Sequence, residues 1–172
     1  MTDRPRLTGP RVALRPGAGE DTEELFVRRS DPTVARWWGP ADRGEIADKI
    51  AGRDEAEFLV IEVDGAVAGG IQFCELGGEE FRHAGIDIFL GAGFQGRGLG
   101  REAIGLLVEY LLGERGHHRL IIDPAVANEP AVRCYRAVGF TPVGVMREYQ
   151  RMADGRWHDG LLMELLASDR TR

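Results

Sequence analysis

Between residues 57 and 76 the chain reads EFLVIEVDGAVAGGIQFCEL. Two strand-like runs flank Asp64-Gly65, a dipeptide that readily supplies the backbone of a tight hairpin turn. A two-residue turn can join only antiparallel neighbours, because parallel strands need a crossover of a dozen or more residues. The early part of the sheet is therefore antiparallel. That excludes a doubly wound parallel sheet, which the glycine-rich stretch further on would otherwise invite.

The other elements fall around this hairpin. RVALRP (11–16) alternates and ends at a proline, as a first strand does. GEDTEELFVRRS (19–30) reads as a helix, with acids early and arginines late to complement the helix dipole. Helical segments are expected over Asp31 to Trp38 and Glu45 to Arg53, separated by GPADRG. EFRHAGIDIFLGAG (80–93) supplies a further strand. Leu99, Ala103, Leu106, Leu107, Tyr110 and Leu111 recur at helical spacing to about Glu114. HHRLIIDPAV is a strand ending near Asp123. Asn128 is placed to cap a helix through Arg133 and Tyr135, with Pro130 in its first turn and Gly139 as its stop. Two strands around Ala153-Asp154-Gly155 close the chain. The expectation is one α/β (α+β) domain over 1–172, with a core from about 10 to 167. Its central sheet is mixed and mostly antiparallel, with about 6–7 strands flanked by helices.

LGAGFQGRGLGRE (90–102) holds five glycines directly before a helical pattern. Packing alone rarely selects such density, since glycine loses the most backbone entropy on folding. A backbone that wraps an anion does select it: a helix start offers unpaired amides and a positive dipole end. Gly91-x-Gly93-x-x-Gly96 matches the dinucleotide fingerprint literally. Its context does not. Asp123 lies 27 residues beyond Gly96, and only 49 residues follow Asp123, too few to finish a doubly wound sheet. The alternative parse is Gln95-Gly96-Arg97-Gly98-Leu99-Gly100.

Of the 172 residues 43% are hydrophobic, enough for a real core. The formal net charge of −6 argues against a general nucleic-acid binder and suits cationic partners. Cys74 and Cys134 stand far apart and form no metal or redox motif, so no metal is expected. MTDRPRLTGP has no signal-peptide core, and no apolar run reaches membrane-spanning length. A cytoplasmic protein with no membrane partner is expected.

Gln95-x-x-Gly98-x-Gly100, after an apolar strand and before an amphipathic helix, resembles the acetyl-CoA loop of GNAT N-acetyltransferases. Asn128-x-x-Ala131-x-x-x-Tyr135-x-x-x-Gly139-Phe140 is similar to a second signature of that family. The resemblance covers roughly residues 10–167 and implies a sheet splayed between the fourth and fifth strands. It implies acetyl-CoA as co-substrate, with the amides of Gln95, Gly96, Arg97, Gly98, Leu99 and Gly100 on the pyrophosphate. The strand edge at Phe89 and Leu90 would pair with the pantetheine arm. Asn128 would hydrogen-bond that arm. Arg97 and Arg133 either meet phosphate charge or are plain surface arginines. Tyr135 matches the family tyrosine beside the CoA sulfur and would act as general acid toward the leaving thiolate.

Singly, Asp87 reads as a solvated strand residue and Asp123 as a turn residue before Pro124. As a pair on neighbouring parallel strands of this fold they form an acidic pocket for an ammonium. Gly85-Ile86-Asp87, the loop, Asp123-Pro124 and Ala131-x-Arg133-Cys134-Tyr135 together resemble aminoglycoside 6′-N-acetyltransferases. That likeness implies a small cationic amine substrate, with Asp87 as candidate base and Asp123 as a substrate contact. Trp37-Trp38-Gly39 resembles the tryptophan-glycine segment beside the sugar site, which makes Trp38 a substrate contact, although paired tryptophans also anchor helices. Asp154-Gly155-x-Trp157-x-Asp159 resembles instead the branch that acetylates protein N-termini. A non-catalytic acyl-CoA sensor is the reading from outside enzymology. His117-His118 before Asp123 is one residue too long for the histidine motif of chloramphenicol-type acyltransferases. Glu75, Glu79 and Glu80 read as solvated. Monomer and homodimer both stay open.

Overall fold

The protein was analysed as a computed structural model that describes residues 4–170. The first three and last two residues of the expected 1–172 domain lie outside the described residues.

Eight strands form one sheet, β1 (Leu7–Thr8), β2 (Val12–Pro16), β3 (Glu57–Val63), β4 (Ala66–Leu76), β5 (His83–Leu90), β6 (Arg119–Ile122), β7 (Thr141–Arg151) and β8 (Trp157–Leu166). Their spatial order is β1-β2-β3-β4-β5-β6-β8-β7. Helices α1 (Asp21–Ser30), α2 (Pro32–Trp38), α3 (Arg43–Ala51), α4 (Leu99–Gly113) and α5 (Glu129–Val138) cover its faces. The sheet has one strand more than the upper expectation. The addition is β1, two residues pairing Leu7 with Leu14 and Thr8 with Ala13, too short to carry a period.

The expected hairpin is present. Asp64 and Gly65 both adopt positive φ, at 51° and 78°, which carries the chain from β3 to β4 in antiparallel register. The helix starts are set by side-chain caps. Asp31 accepts the Thr33 amide at 2.8 Å, Asp42 accepts that of Glu45 at 2.8 Å, and Asn128 accepts that of Ala131 at 3.4 Å.

Two cores sandwich the sheet. One joins Leu14, Ile61, Phe73 and Ile86 to Leu99, Ile104, Leu107 and Tyr135 from α4 and α5. The other joins Leu25, Val34 and Ile50 of α1–α3 to Phe58, Val60 and Phe89. Apolar burial at about 25 cal/mol per Å² is the main force holding these layers. Arg15 spans the front of the sheet, pairing with Asp21 at 2.8 and 2.9 Å and with Glu62 at 2.6 Å.

Among the described residues β5 and β6 are the only neighbours that run parallel, and they pair only through Ala84–Leu120 and Gly85–Ile121. Beyond Gly85 they separate. In the expected strand count this is the split between the fourth and fifth strands. No helix among the described residues is long and apolar enough to cross a membrane.

Candidate active site

The separation of β5 from β6 opens a cleft of about 1450 Å³. A single small-ligand pocket occupies roughly 300–1,000 Å³, so there is room for two reactants. All the residues expected at the site line it except Arg97.

One side is built for an extended, phosphorylated ligand. Gly91 donates its amide to Ala68 of β4, so the preceding Leu90 carbonyl faces away from β4, into the gap. By alternation Ile88 presents its backbone the same way. The free edge therefore belongs to Ile88 and Leu90, while the Phe89 backbone faces β4. Gln95 donates to the Leu90 carbonyl at 2.8 Å and to Thr33 Oγ1 at 3.1 Å, pinning the glycine loop to the strand end. Gly96 and Gly98 adopt positive φ, at 70° and 77°. A left-handed backbone at both points favours glycine and turns the loop into α4. The first helical bond runs from the Glu102 amide to Gly98, which leaves the amides of Leu99, Gly100 and Arg101 leading the helix. Arg101 lines the cleft where Arg97 does not. Arg97 turns back to the Gly93 carbonyl and the Phe94 ring. Arg133 lines the cleft beside Glu129, 3.5 Å away.

Tyr135 is buried on the α5 side of the sheet. Burial, reinforced by Cys134, Asp87 and Asp123, raises its hydroxyl well above the ordinary tyrosine range. It is therefore neutral at physiological pH and able to donate a proton or hydrogen bond.

The other side is acidic and aromatic. Asp87 and Asp123 each lie two residues beyond the last parallel pair, Gly85–Ile121, so by alternation they project to the same face on opposite sides of the gap. Gln72 on β4 donates to Asp87 at 3.1 Å. Tyr149 on β7 donates its hydroxyl to Asp123 at 2.5 Å. Burial raises the Asp123 carboxyl; the Tyr149 bond opposes this and the nearby Asp87 adds to it. Trp38 meets Phe89 edge-on at 5.3 Å. Behind both rings lies the buried Arg29 guanidinium, 4.9 Å and 5.7 Å from the ring centres, its charge disfavoured by burial.

Gln72, Arg101 and Tyr149 were not legible in the sequence. Gln72 required the β4–β5 register, and Tyr149 required a bulge. Glu75 is exposed, as expected, but it is not free of partners. It binds Arg115 at 2.7 and 3.0 Å and the buried His117 at 2.8 Å, which hold its carboxyl at about 2. His117 is thus an anchor of the turn after α4. No cluster of three metal-ligating side chains occurs among the described residues.

The acetyltransferase (GNAT) domain profile matches residues 11–141. The chain belongs to the GNAT acetyltransferase family. It is 28% identical over 159 residues to spermidine N(1)-acetyltransferase of Escherichia coli K12, covering 88% of this chain and 84% of that protein. Among solved structures, ribosomal-protein-S5-alanine acetyltransferase from Vibrio fischeri superposes with a TM-score of 0.82 at 16% identity, over 96% of this chain and 98% of that one. AAC(6′)-Ib, solved with paromomycin and acetyl-CoA, superposes with a TM-score of 0.76 at 22% identity, over 94% and 97%.

Proposed function

We propose that this protein transfers the acetyl group of acetyl-CoA to a primary amine of an oligocationic small molecule. The 6′-amine of an aminoglycoside and the terminal amine of a polyamine are the two substrate types that suit the site. The observation that carries the reading is the pair Asp87 and Asp123, each two residues past the last β5–β6 pair and on the same face of the split.

Acetyl-CoA, when bound, supplies the thioester carbonyl and a thiolate leaving group. The residues present fit it. The amides from Gly96 to Arg101 meet the pyrophosphate, the Gln95 amide being taken by the Ala92 carbonyl at 3.3 Å, and the open edge of Ile88 and Leu90 meets the pantetheine arm. Asn128 already spends its side-chain oxygen on the α5 cap, so its amide NH₂ is the group left for that arm. On the far face, Asp87 and Asp123 hold the ammonium, and Asp87 accepts the proton that must leave before the nitrogen can attack. Tyr135, kept protonated by burial, gives its proton to the sulfur side. Trp38 and Phe89 form an apolar wall that aligns the carbon skeleton.

Acetylation of a protein N-terminus is the second reading. The observation favouring it is the Asp154-to-Asp159 segment on the β7–β8 hairpin, whose Tyr149 and Gln150 line the cleft. Thiol release from acetyl-CoA, followed against spermidine, kanamycin and a peptide with a free N-terminal alanine, separates the two. Saturable turnover with an oligocation supports the proposal. Turnover with the peptide alone transfers it to the second reading. Acetyl-CoA binding without turnover on any amine leaves the sensor.

A further inference from the structure

β7 does not pair evenly with β8. Its register shifts between Met146 and Gln150, and Glu148 at the centre adopts φ of 49°. A positive φ at a non-glycine residue is strained and persists where the surroundings hold it. Here they do: the Glu148 amide donates to Asp159 Oδ1 at 2.8 Å. The bulge reverses the alternation and turns Tyr149 inward onto Asp123.

The next residue completes the seat. A Cβ at Gly160 would lie 2.7 Å from Tyr149 Cδ1 and 3.2 Å from Cγ, so the ring rests where only glycine leaves room. Asp159 and Leu161, on either side of Gly160, fix the other partner. The Asp159 carbonyl accepts the Val126 amide at 2.9 Å, and the Leu161 amide donates to Pro124 at 2.8 Å. The segment following Asp123 is thereby laced to β8. Asp159-Gly160 clamps both ends of the Tyr149–Asp123 hydrogen bond.

We propose that Tyr149 is a positioning residue of the amine site, seated by Asp159-Gly160, whose hydroxyl fixes one Asp123 oxygen and leaves the other for the substrate ammonium. This rests on the proposal that Asp123 binds the amine. The strained bulge thereby serves substrate affinity, and Asp159 and Gly160 of β8 become its support. The groups facing Asp123 are Asp87 from β5, Tyr149 from β7 and Tyr135 from α5. Of these Tyr149 alone donates to it, so its removal leaves the carboxyl easier to protonate.

The test is calorimetric titration of spermidine and of kanamycin into CoA-saturated protein between pH 5 and 8, for wild type and variants. Tyr149→Phe is expected to weaken binding of the accepted amine by about tenfold at pH 7, the scale of one hydrogen bond to a charged group. Its affinity should also decline at a higher pH than in wild type. CoA affinity stays unchanged. Asp159→Ala should reproduce the effect, Asp159→Asn should rescue it, and Asp159→Ala should add less than about twofold on top of Tyr149→Phe. Unchanged or tighter amine binding by Tyr149→Phe, with Asp123→Asn still weakening it, overturns this inference alone. Amine binding by wild type that Asp123→Asn leaves untouched, or no binding of either amine, overturns the underlying site reading as well.

Discussion

Replacing Asp123 by Asn should weaken the enzyme and stabilise the fold together. An ammonium and a carboxylate about 4 Å apart attract by about 4 kcal/mol at an effective dielectric of ~20, and by about 1 kcal/mol in bulk water. Asp123 is half-buried, so ~2 kcal/mol is the working figure, or about 30-fold in amine affinity. Stability moves the other way. Burial raises the Asp123 carboxyl above its ordinary 3.8, against the Tyr149 bond and with help from Asp87. A carboxyl raised on folding contributes stability below its unfolded pKa, and that contribution is lost as pH rises through the folded value. At pH 7 the ionised Asp123 is thus a burden. Asn carries no charge to desolvate, and its carbonyl still accepts from Tyr149. Each kcal/mol recovered appears as ~2–4 °C in Tm for a chain of this size. Thermal melts at pH 7 and pH 4 should show a gain for Asp123→Asn that shrinks on acidification. Steady-state kinetics should show kcat/KM for the amine falling about 30-fold with acetyl-CoA affinity intact. A lower Tm at pH 7, or amine kinetics within twofold of wild type, would refute the reasoning.

Other parts of the structure make separate predictions. Tyr135→Phe should lower kcat by about 100-fold or more, the usual reach of general acid catalysis, while CoA binding measured by calorimetry holds. Gly98→Ala forces a side chain to φ of 77°, at a cost of ~1–2 kcal/mol, and should weaken acetyl-CoA binding by about tenfold with little change in amine specificity. Asp21→Ala leaves Arg15 with Glu62 as its one carboxylate and frees the Ala18 amide, so stability in urea should fall by about 2 kcal/mol with kcat unchanged. Glu75, held at about 2 by Arg115 and His117, contributes stability above its ordinary 4.5 that is lost as pH falls toward 2. Glu75→Gln should therefore flatten the acid-unfolding curve in that window.

The sequence carried the architecture through local chemistry. Asp64-Gly65 fixed the antiparallel hairpin, Asn128 and Gly139 bounded α5, and alternation placed Asp87 opposite Ile86 and Ile88. It carried much of the cleft lining because those residues sit in short contiguous motifs. It was silent where long-range register decides. Gln72 meets Asp87 only through the β4–β5 pairing. Tyr149 reaches Asp123 only because a bulge breaks the strand period, and the Asp159 side chain that holds the bulge is eleven residues away. Arg97 and Arg101 are indistinguishable by composition. The turn into α4 brings the second into the cleft and sends the first back onto Gly93.

The central claim is that the paired aspartates select an oligocationic amine for acetyl transfer. Its most direct test is kcat/KM for thiol release from acetyl-CoA, compared between an oligocation, spermidine or kanamycin, and a monocationic amine such as the free N-terminus of an alanyl peptide. A preference of about tenfold or more for one of the oligocations is expected, abolished in Asp87→Asn/Asp123→Asn. Equal or better turnover of the monocation, or a preference that survives the double substitution, would contradict it.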